Sequence, residues 1–147
     1  MEVRILDIHD DYWNKTIEMS EKCSWHAGAS LGYNMRENKF KDFECVFAAI
    51  ENDKVIGFCT ITKTDCIPNC LYTPWIGFVF VDEKYRGNKI SQKMIEKALK
   101  YAKTKDFKKV YISTQEENLY EKYGFIQIDT LKSHSDTLEK IMVFDVL

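Results

Sequence analysis

The chain has 147 residues, which predicts one domain over residues 1–147, and its 45% hydrophobic and 14% aromatic content is typical of folded proteins. It contains no run of 18 apolar residues and starts with charged residues, so we expect neither a membrane span nor a signal peptide. The net charge of −2 and a pI near 5.9 argue against nucleic acid as a partner.

Five scattered cysteines, an odd number without a Cys-x-x-Cys pair, are typical of reduced thiols, so we expect a cytoplasmic protein. Cys66 and Cys70 lie four residues apart and could form half of a metal site. No matching second pair exists, so unpaired thiols on a loop are the favoured interpretation and no metal is expected.

The first half of the chain predicts two helices followed by a β-hairpin. Asp10 or Asp11 can cap a helix because a short acidic side chain accepts hydrogen bonds from the first free N–H groups. The alternating pattern around residues 52–53 indicates a hairpin turn. In order, we predict a short strand from Val3, Ile5 and Ile8, a helix to residue 22, a helix at 29–38, and strands at 44–50 and 54–62.

The second half predicts a strand–helix–strand unit, which implies parallel strands and a right-handed crossover. Since a hairpin precedes this unit, the predicted fold class is mixed α/β. In order, we predict a doubly covered strand at 75–81, a loop before it at 65–73, a helix at 89–104, a strand at 109–113, a helical turn at 119–123 ending at Gly124, strands at 125–128 and 141–146, and a polar connection at 132–140.

Charge is distributed unevenly along the chain. Residues 84–109 contain ten Lys or Arg against two acids, a local charge of +8, so the remainder carries −10. This separation favours an anionic ligand at one side and a cationic one at another. The alternative is that most of these lysines form the solvated face of an ordinary helix.

The turn at residues 85–91 reads Tyr-Arg-Gly-Asn-Lys-Ile-Ser and joins an apolar strand to a Lys-rich helix. Free N–H groups at a helix N-terminus, together with the positive end of its dipole, can bind a phosphate. One glycine in a turn is weak evidence alone, and a nucleotide-phosphate binder is one alternative. The absence of a Gly-x-x-x-x-Gly-Lys-Ser/Thr run argues against a P-loop.

A second motif makes the pattern specific. Residues 119–125 read Leu-Tyr-Glu-Lys-Tyr-Gly-Phe and follow the turn after one helix and one strand. Together the two motifs resemble the GNAT superfamily of acetyl-CoA-dependent N-acetyltransferases, over essentially the whole chain. The resemblance implies a central, mixed, twisted sheet of about seven strands flanked by helices.

The chain departs from the family pattern at three places. Lys89 stands where the family usually has a second glycine, and Ser91 stands at the usual Gly or Ala. Serine is small enough for close backbone approach, whereas lysine changes the geometry and adds charge near a pyrophosphate. The usual Asn after the following strand is absent, and residues 113–115 read Ser-Thr-Gln there.

The resemblance implies how acetyl-CoA would bind. The central strand would splay from its neighbour near residues 79–81, and its free backbone groups would pair with the pantetheine arm. A backbone N–H near Val79 or Phe80 would polarise the thioester carbonyl. The implied cofactor-binding residues are Val79, Phe80, Val81, Arg86, Gly87, Asn88, Lys89, Ile90 and Ser91.

The resemblance also implies a proton donor. Tyr120 matches the position of the family's usual general acid, which protonates the departing thiolate; the alternative is a core aromatic residue. A base must also remove the proton from the amine, but residues 75–79 contain no carboxylate. His26 titrates in the useful range and is the first candidate, followed by Glu44 and Asp65.

We therefore expect an N-acetyltransferase that moves acetyl from acetyl-CoA to a primary amine by direct attack in a ternary complex. The acceptor is expected to be a small molecule or a peptide, and four aromatic residues could line its pocket: Trp25, Tyr33, Tyr72 and Trp75. The alternative is a catalytically inactive CoA-binding or sensor module. If two copies associate as a homodimer, we expect contacts through the last strands or residues 132–140.

Overall fold

A seven-stranded mixed sheet forms the centre of the protein, in a computed structural model that describes residues 1–146. The last residue of the predicted domain, 147, lies outside the described residues. The strand order is β1-β2-β3-β4-β5-β7-β6, and only β4 and β5 pair in parallel, as the strand–helix–strand unit predicted. The strands are β1 (Glu2–Leu6), β2 (Cys45–Glu51), β3 (Lys54–Thr62), β4 (Trp75–Val81), β5 (Lys109–Thr114), β6 (Ile126–Lys132) and β7 (Leu138–Asp145).

Three α-helices cover the two faces of this sheet: α1 (Asp11–Lys22), α2 (Gly28–Arg36) and α3 (Ile90–Thr104). Successive side chains of a strand point to opposite faces, and the sequence of β2 shows this clearly. Cys45, Phe47 and Ala49 pack in the cluster with α3, whereas residues 46, 48 and 50 pack with α1 and α2. Among the described residues, no helix has the length and apolar character needed to cross a membrane.

Several boundaries follow from local backbone conformation. The Asp10 carboxylate accepts a hydrogen bond from the Tyr12 N–H at 2.9 Å, so Asp10 caps α1 as predicted. Ile8 lies in the turn after β1, and α2 ends before Asn38, which has a φ of 46°. Lys89 has a φ of 59° and therefore caps α3 instead of joining it.

The predicted polar connection at residues 132–140 is longer than the observed one, which spans residues 133–137. β6 continues to Lys132 and β7 already begins at Leu138, where the two residues pair across a tight turn. The prediction was too long because Glu139 and Lys140 are polar and Leu138, which begins β7, is 63% exposed, so the sequence pattern there does not separate a strand end from a loop. The predicted strands 125–128 and 141–146 were accordingly too short or displaced.

Candidate active site

The backbone of β4 is irregular at its middle. Phe58 pairs with Phe80 and Thr60 pairs with Gly77, so two residues of β4 face one residue of β3. Phe78 lies in this bulge with a φ of 49°. On its other side β4 pairs with β5 only at Trp75, opposite Tyr111. The two strands therefore splay apart after residue 75, earlier in β4 than residues 79–81, where the resemblance implied the separation.

Two cavities meet where β4 and β5 separate. The larger cavity has a volume of about 730 Å³ and the smaller one about 420 Å³. Five residues line both cavities: Val79, Phe80, Arg86, Glu116 and Tyr120. A molecule in one cavity can thus meet a molecule in the other beside the second half of β4.

The smaller cavity is built around the turn before α3. Gly87 and Lys89 both have left-handed backbone, with φ of 85° and 59°, and both line the cavity. Lys89 thus takes a left-handed conformation that glycine adopts without strain, although a lysine stands at this position. The Ser91 Oγ lies 3.0 Å from the Tyr123 hydroxyl, which joins α3 to the second motif at this cavity.

Tyr120 begins a short 3-10 helix (Tyr120–Tyr123) that ends at Gly124, whose φ is 96°. Its side chain is only 8% exposed and packs edge-on against Tyr123 and Phe125, with ring centroids 6.0 Å apart in both pairs. Burial raises the pKa of Tyr120 well above its usual value. The phenol is therefore protonated near neutral pH and can donate a proton or hydrogen bond.

The larger cavity carries an excess of negative charge. Four carboxylates line it, against one cationic side chain, that of Arg86; the carboxylates belong to Asp65, Glu83, Glu116 and Glu139. Trp25 also lines this cavity, and its ring stacks on that of Phe80 with centroids 5.8 Å apart. The Ser24 hydroxyl donates a hydrogen bond to Glu83 and so joins the segment before α2 to the end of β4. This arrangement favours a cationic, partly apolar ligand.

A sequence profile of the acetyltransferase (GNAT) family matches residues 5–125. The chain belongs to the GNAT acetyltransferase family. Acetyl-CoA is the acetyl donor of this family of enzymes. No curated protein sequence matched the chain.

Solved structures of acetyltransferases share this fold over nearly the full length of both chains. An aminoglycoside 6'-N-acetyltransferase complexed with coenzyme A is 16% identical, with a TM-score of 0.77 and coverage of 100% of this chain and 98% of that one. The aminoglycoside 6'-N-acetyltransferase from Enterococcus faecium is 14% identical, with the same coverage and a TM-score of 0.77. Escherichia coli ElaA is 19% identical, with a TM-score of 0.70 and coverage of 99% and 100%. At these identities the likeness establishes the fold alone.

Most of the residues predicted to bind the cofactor surround the smaller cavity of this GNAT protein. Asn88 does not line it, because its Nδ2 donates to the carbonyl oxygen of Tyr85 at 2.9 Å and stabilises the turn. Arg86 is tied to β4 through its Nε, 3.0 Å from the Val81 carbonyl oxygen. The predicted residues that do line the smaller cavity are Val79, Phe80, Val81, Arg86, Gly87, Lys89, Ile90 and Ser91.

The three candidate bases lie in different places. His26 is exposed, and the larger cavity is lined from its segment by Ser24, Trp25 and Ala27. The Glu44 carboxylate accepts hydrogen bonds from the backbone N–H groups of Lys63 and Lys41, at 2.8 and 3.2 Å, so it stabilises the start of β2. Only Asp65 lines the larger cavity.

The four aromatic residues predicted to line the acceptor pocket also lie in different places. Trp25 lines the larger cavity, whereas Trp75 is 1% exposed in the core. Tyr33 is exposed on α2, and Tyr72 stacks on Tyr111 with ring centroids 4.7 Å apart. Burial and sheet position, which the sequence pattern does not give, decide which of them reaches a cavity.

Sequence reasoning missed three of the four carboxylates in the larger cavity. Glu83 lies two residues after the end of β4 and Glu116 two residues after the end of β5, so their positions after strands of the same sheet were an available signal. Glu139 lay in the segment wrongly predicted as a connection and had no such signal. Within residues 1–146, no group of three or more His, Cys, Asp or Glu side chains is arranged to hold a metal ion.

Proposed function

We propose that this GNAT protein transfers acetyl from acetyl-CoA to a primary amine on an acceptor with further positive charge. The carrying observation is the position of Tyr120, a buried phenol that lines both cavities at the point where they meet. Acetyl-CoA occupies the smaller cavity and the acceptor occupies the larger one. The amine then attacks the thioester directly in a ternary complex.

The smaller cavity fits a pyrophosphate and a pantetheine arm. Beyond residue 75, β4 has no ladder with β5, so an extended chain can pair with its free edge at residues 79–81. The left-handed turn at Gly87 and Lys89 leads into α3, whose first N–H groups lack partners within the helix. Phosphate oxygens are the natural acceptors for such groups, and the ammonium of Lys89 adds a nearby positive charge.

The bulge at Phe78 supports the chemical step. A backbone N–H at Val79, in the bulge, would donate to the thioester oxygen as negative charge develops there. The N–H of Phe80 faces β3 instead, because Phe80 pairs with Phe58 and the Asp82 N–H two residues later donates to the Ile56 carbonyl. The departing thiolate of CoA would receive a proton from Tyr120, which its raised pKa keeps protonated. Both groups lie at the junction of the cavities, so the acetyl carbon and the amine meet within reach of them.

The charge of the larger cavity supports a cationic acceptor. Four carboxylates and the face of Trp25 would attract ammonium groups by charge and by cation–π contact. Two of the similar structures are aminoglycoside 6'-N-acetyltransferases, and aminoglycosides carry several amines. An aminoglycoside, a polyamine and a peptide with a basic N-terminus are therefore the acceptors to test.

The test measures thiol release from acetyl-CoA with spermidine, an aminoglycoside, a basic dipeptide and ethanolamine as the single-charge control. We expect release with at least one polycation, a product heavier by one acetyl group, and a KM that rises with salt because exposed charges are screened. Calorimetry with acetyl-CoA alone is done in parallel. Tight acetyl-CoA binding with no thiol release for any amine would instead favour the inactive CoA-binding module.

A further inference from the structure

Asp65 lies in the loop before β4, and its carboxylate packs against Gly77 in the middle of that strand. A β-carbon built on Gly77 would lie 2.8 Å from Asp65 Oδ1, closer than a real side chain tolerates. The carboxylate of Asp65 therefore occupies the space that a side chain at position 77 would take. Because Gly77 has no side chain, a residue of the preceding loop can place its carboxylate against the middle of β4, beside the bulge at Phe78.

Contacts with β5 and with the β6–β7 hairpin hold this loop in place. The Cys66 carbonyl accepts a hydrogen bond from the His134 N–H at 2.7 Å, and the Cys66 Sγ lies 3.4 Å from the Ser113 Oγ. Ser113 in turn donates to the Glu139 carboxylate at 3.1 Å. The loop carrying Asp65 is thus tied to β5 and β7 before any ligand binds, and this lowers the cost of placing a catalytic group.

We propose that Asp65 is the base that takes the proton from the acceptor amine, in place of a carboxylate carried by β4 itself. This role rests on the proposed function. Asp65 lines the larger cavity beside Gly77 and Phe78, where the amine must approach the thioester. Ser113 and Glu139 hold the loop that carries Asp65 in place through Cys66.

The surroundings of Asp65 make its carboxylate a stronger base than an exposed aspartate. Burial raises the pKa of Asp65 above its usual value, and the negative charge of Glu139 on β7 adds to the rise. Cys66 in its own loop faces it with hydrogen bonds that oppose the rise in pKa. Glu83, Glu116 and Arg86 are the other charged groups of the same cavity.

The proton and electron movements balance as follows. The acceptor ammonium gives one proton to Asp65, which passes it to solvent, and the freed lone pair forms the new C–N bond at the thioester carbon. The C–S bond breaks, and sulphur takes the phenolic proton of Tyr120. The second proton lost by the nitrogen returns to the Tyr120 phenolate through water, so the products are the amide, the free thiol and one proton.

The first test replaces the base by its neutral isostere. Asp65→Asn should lower kcat/KM at least 100-fold, a size typical of a lost general base, while the acetyl-CoA Kd changes less than threefold. Its remaining rate should rise with pH as the amine deprotonates by itself, without the low-pH inflection of the wild type. The control is Asp136→Asn, the same chemical change in the exposed turn between β6 and β7, which should leave kcat/KM and the acetyl-CoA Kd at their wild-type values.

A second test moves the carboxylate onto the strand. In an Asp65→Ala background, Gly77→Asp places a carboxylate near the present position of Asp65 Oδ1. We expect the kcat/KM of this double variant to be at least tenfold higher than that of Asp65→Ala alone. A kcat/KM for Asp65→Asn within twofold of wild type overturns the proposal. The proposal is also overturned if Asp65→Asn loses as much acetyl-CoA affinity as it loses in kcat/KM. It is overturned as well if the Asp65→Ala, Gly77→Asp double variant folds and binds CoA but recovers no kcat/KM. Failure of the proposed function is recognised separately, because the wild-type protein would then release no thiol.

Discussion

The Nε of Arg86 lies 3.0 Å from the carbonyl oxygen of Val81, and its guanidinium carbon lies 5.3 Å from the centre of the Phe80 ring. Arg86 thereby folds back onto the end of β4 at the junction of the two cavities. Guanidinium has five N–H donors, so this contact leaves the other four available to a phosphate. The same side chain can link the splayed strand to the bound cofactor.

Arg86→Ala should weaken acetyl-CoA binding about tenfold or more, because a charge-assisted hydrogen bond contributes about 1.5–3 kcal/mol. Calorimetric titration with acetyl-CoA measures the change. Lys84→Ala is the control, since Lys84 is an exposed cation of the neighbouring 3-10 helix (Glu83–Tyr85). Equal affinity for Arg86→Ala and wild type would remove Arg86 from the binding site.

Tyr120→Phe should lower kcat about 100-fold, the smaller end of the effect of a lost general acid, with little change in acetyl-CoA affinity. Because its pKa is raised, wild-type Tyr120 should stay protonated through alkaline assays and cause no fall in rate below about pH 10. Steady-state kinetics with the best amine acceptor measure both effects. The control is Tyr101→Phe, which removes a hydroxyl on α3 that donates to the Phe43 carbonyl and should leave kcat unchanged. If Tyr120→Phe had the same kcat as the wild type, Tyr120 would be a core residue without a catalytic role.

Lys89→Gly should raise the free energy of unfolding by about 0.5–1 kcal/mol. A non-glycine residue in left-handed backbone is strained by about 1–2 kcal/mol, and glycine removes this strain. The gain exceeds the extra entropic cost of ordering glycine on folding, which is about 0.5–1 kcal/mol. Urea unfolding gives the stability. Lys89→Ala removes the ammonium but keeps the strain, so its acetyl-CoA Kd reports the charge alone. A Lys89→Gly protein less stable than Lys89→Ala would contradict this account.

Stability should fall at alkaline pH because of buried thiols. Burial raises the pKa of Cys45 to about 12, whereas an unfolded thiol titrates near 8.5. The thiol pKa is higher in the folded protein than in the unfolded chain, so the stability that the protonated Cys45 contributes is fully present below about pH 8.5. As the pH rises from there toward 12, the free energy of unfolding falls by about 1.4 kcal/mol per pH unit. Urea unfolding at pH 8 and 10 should give a shallower slope for Cys45→Ala; an identical slope would contradict the assignment.

Sequence patterns predicted the central strands well. β3 and β4 lie at the predicted residues, because apolar runs bounded by turn residues carry a strong signal. The edge strands were predicted poorly: β6 exposes Ile126 at 65% and Ile128 at 45%, together with polar side chains, so neither pattern nor burial marks its ends. These exposed residues lie on the last strands, where a contact between two copies was expected.

Local order along the chain determined the family, the turn before α3 and Tyr120, because each of these depends on residues that are neighbours in sequence. Only the tertiary structure decided which carboxylates line the larger cavity. Asp65 lies against Gly77 of β4, a contact that the sequence pattern does not show, and Glu139 reaches Ser113 because β7 inserts between β5 and β6. Such contacts depend on strand order and register, which long-range packing selects and local pattern does not encode.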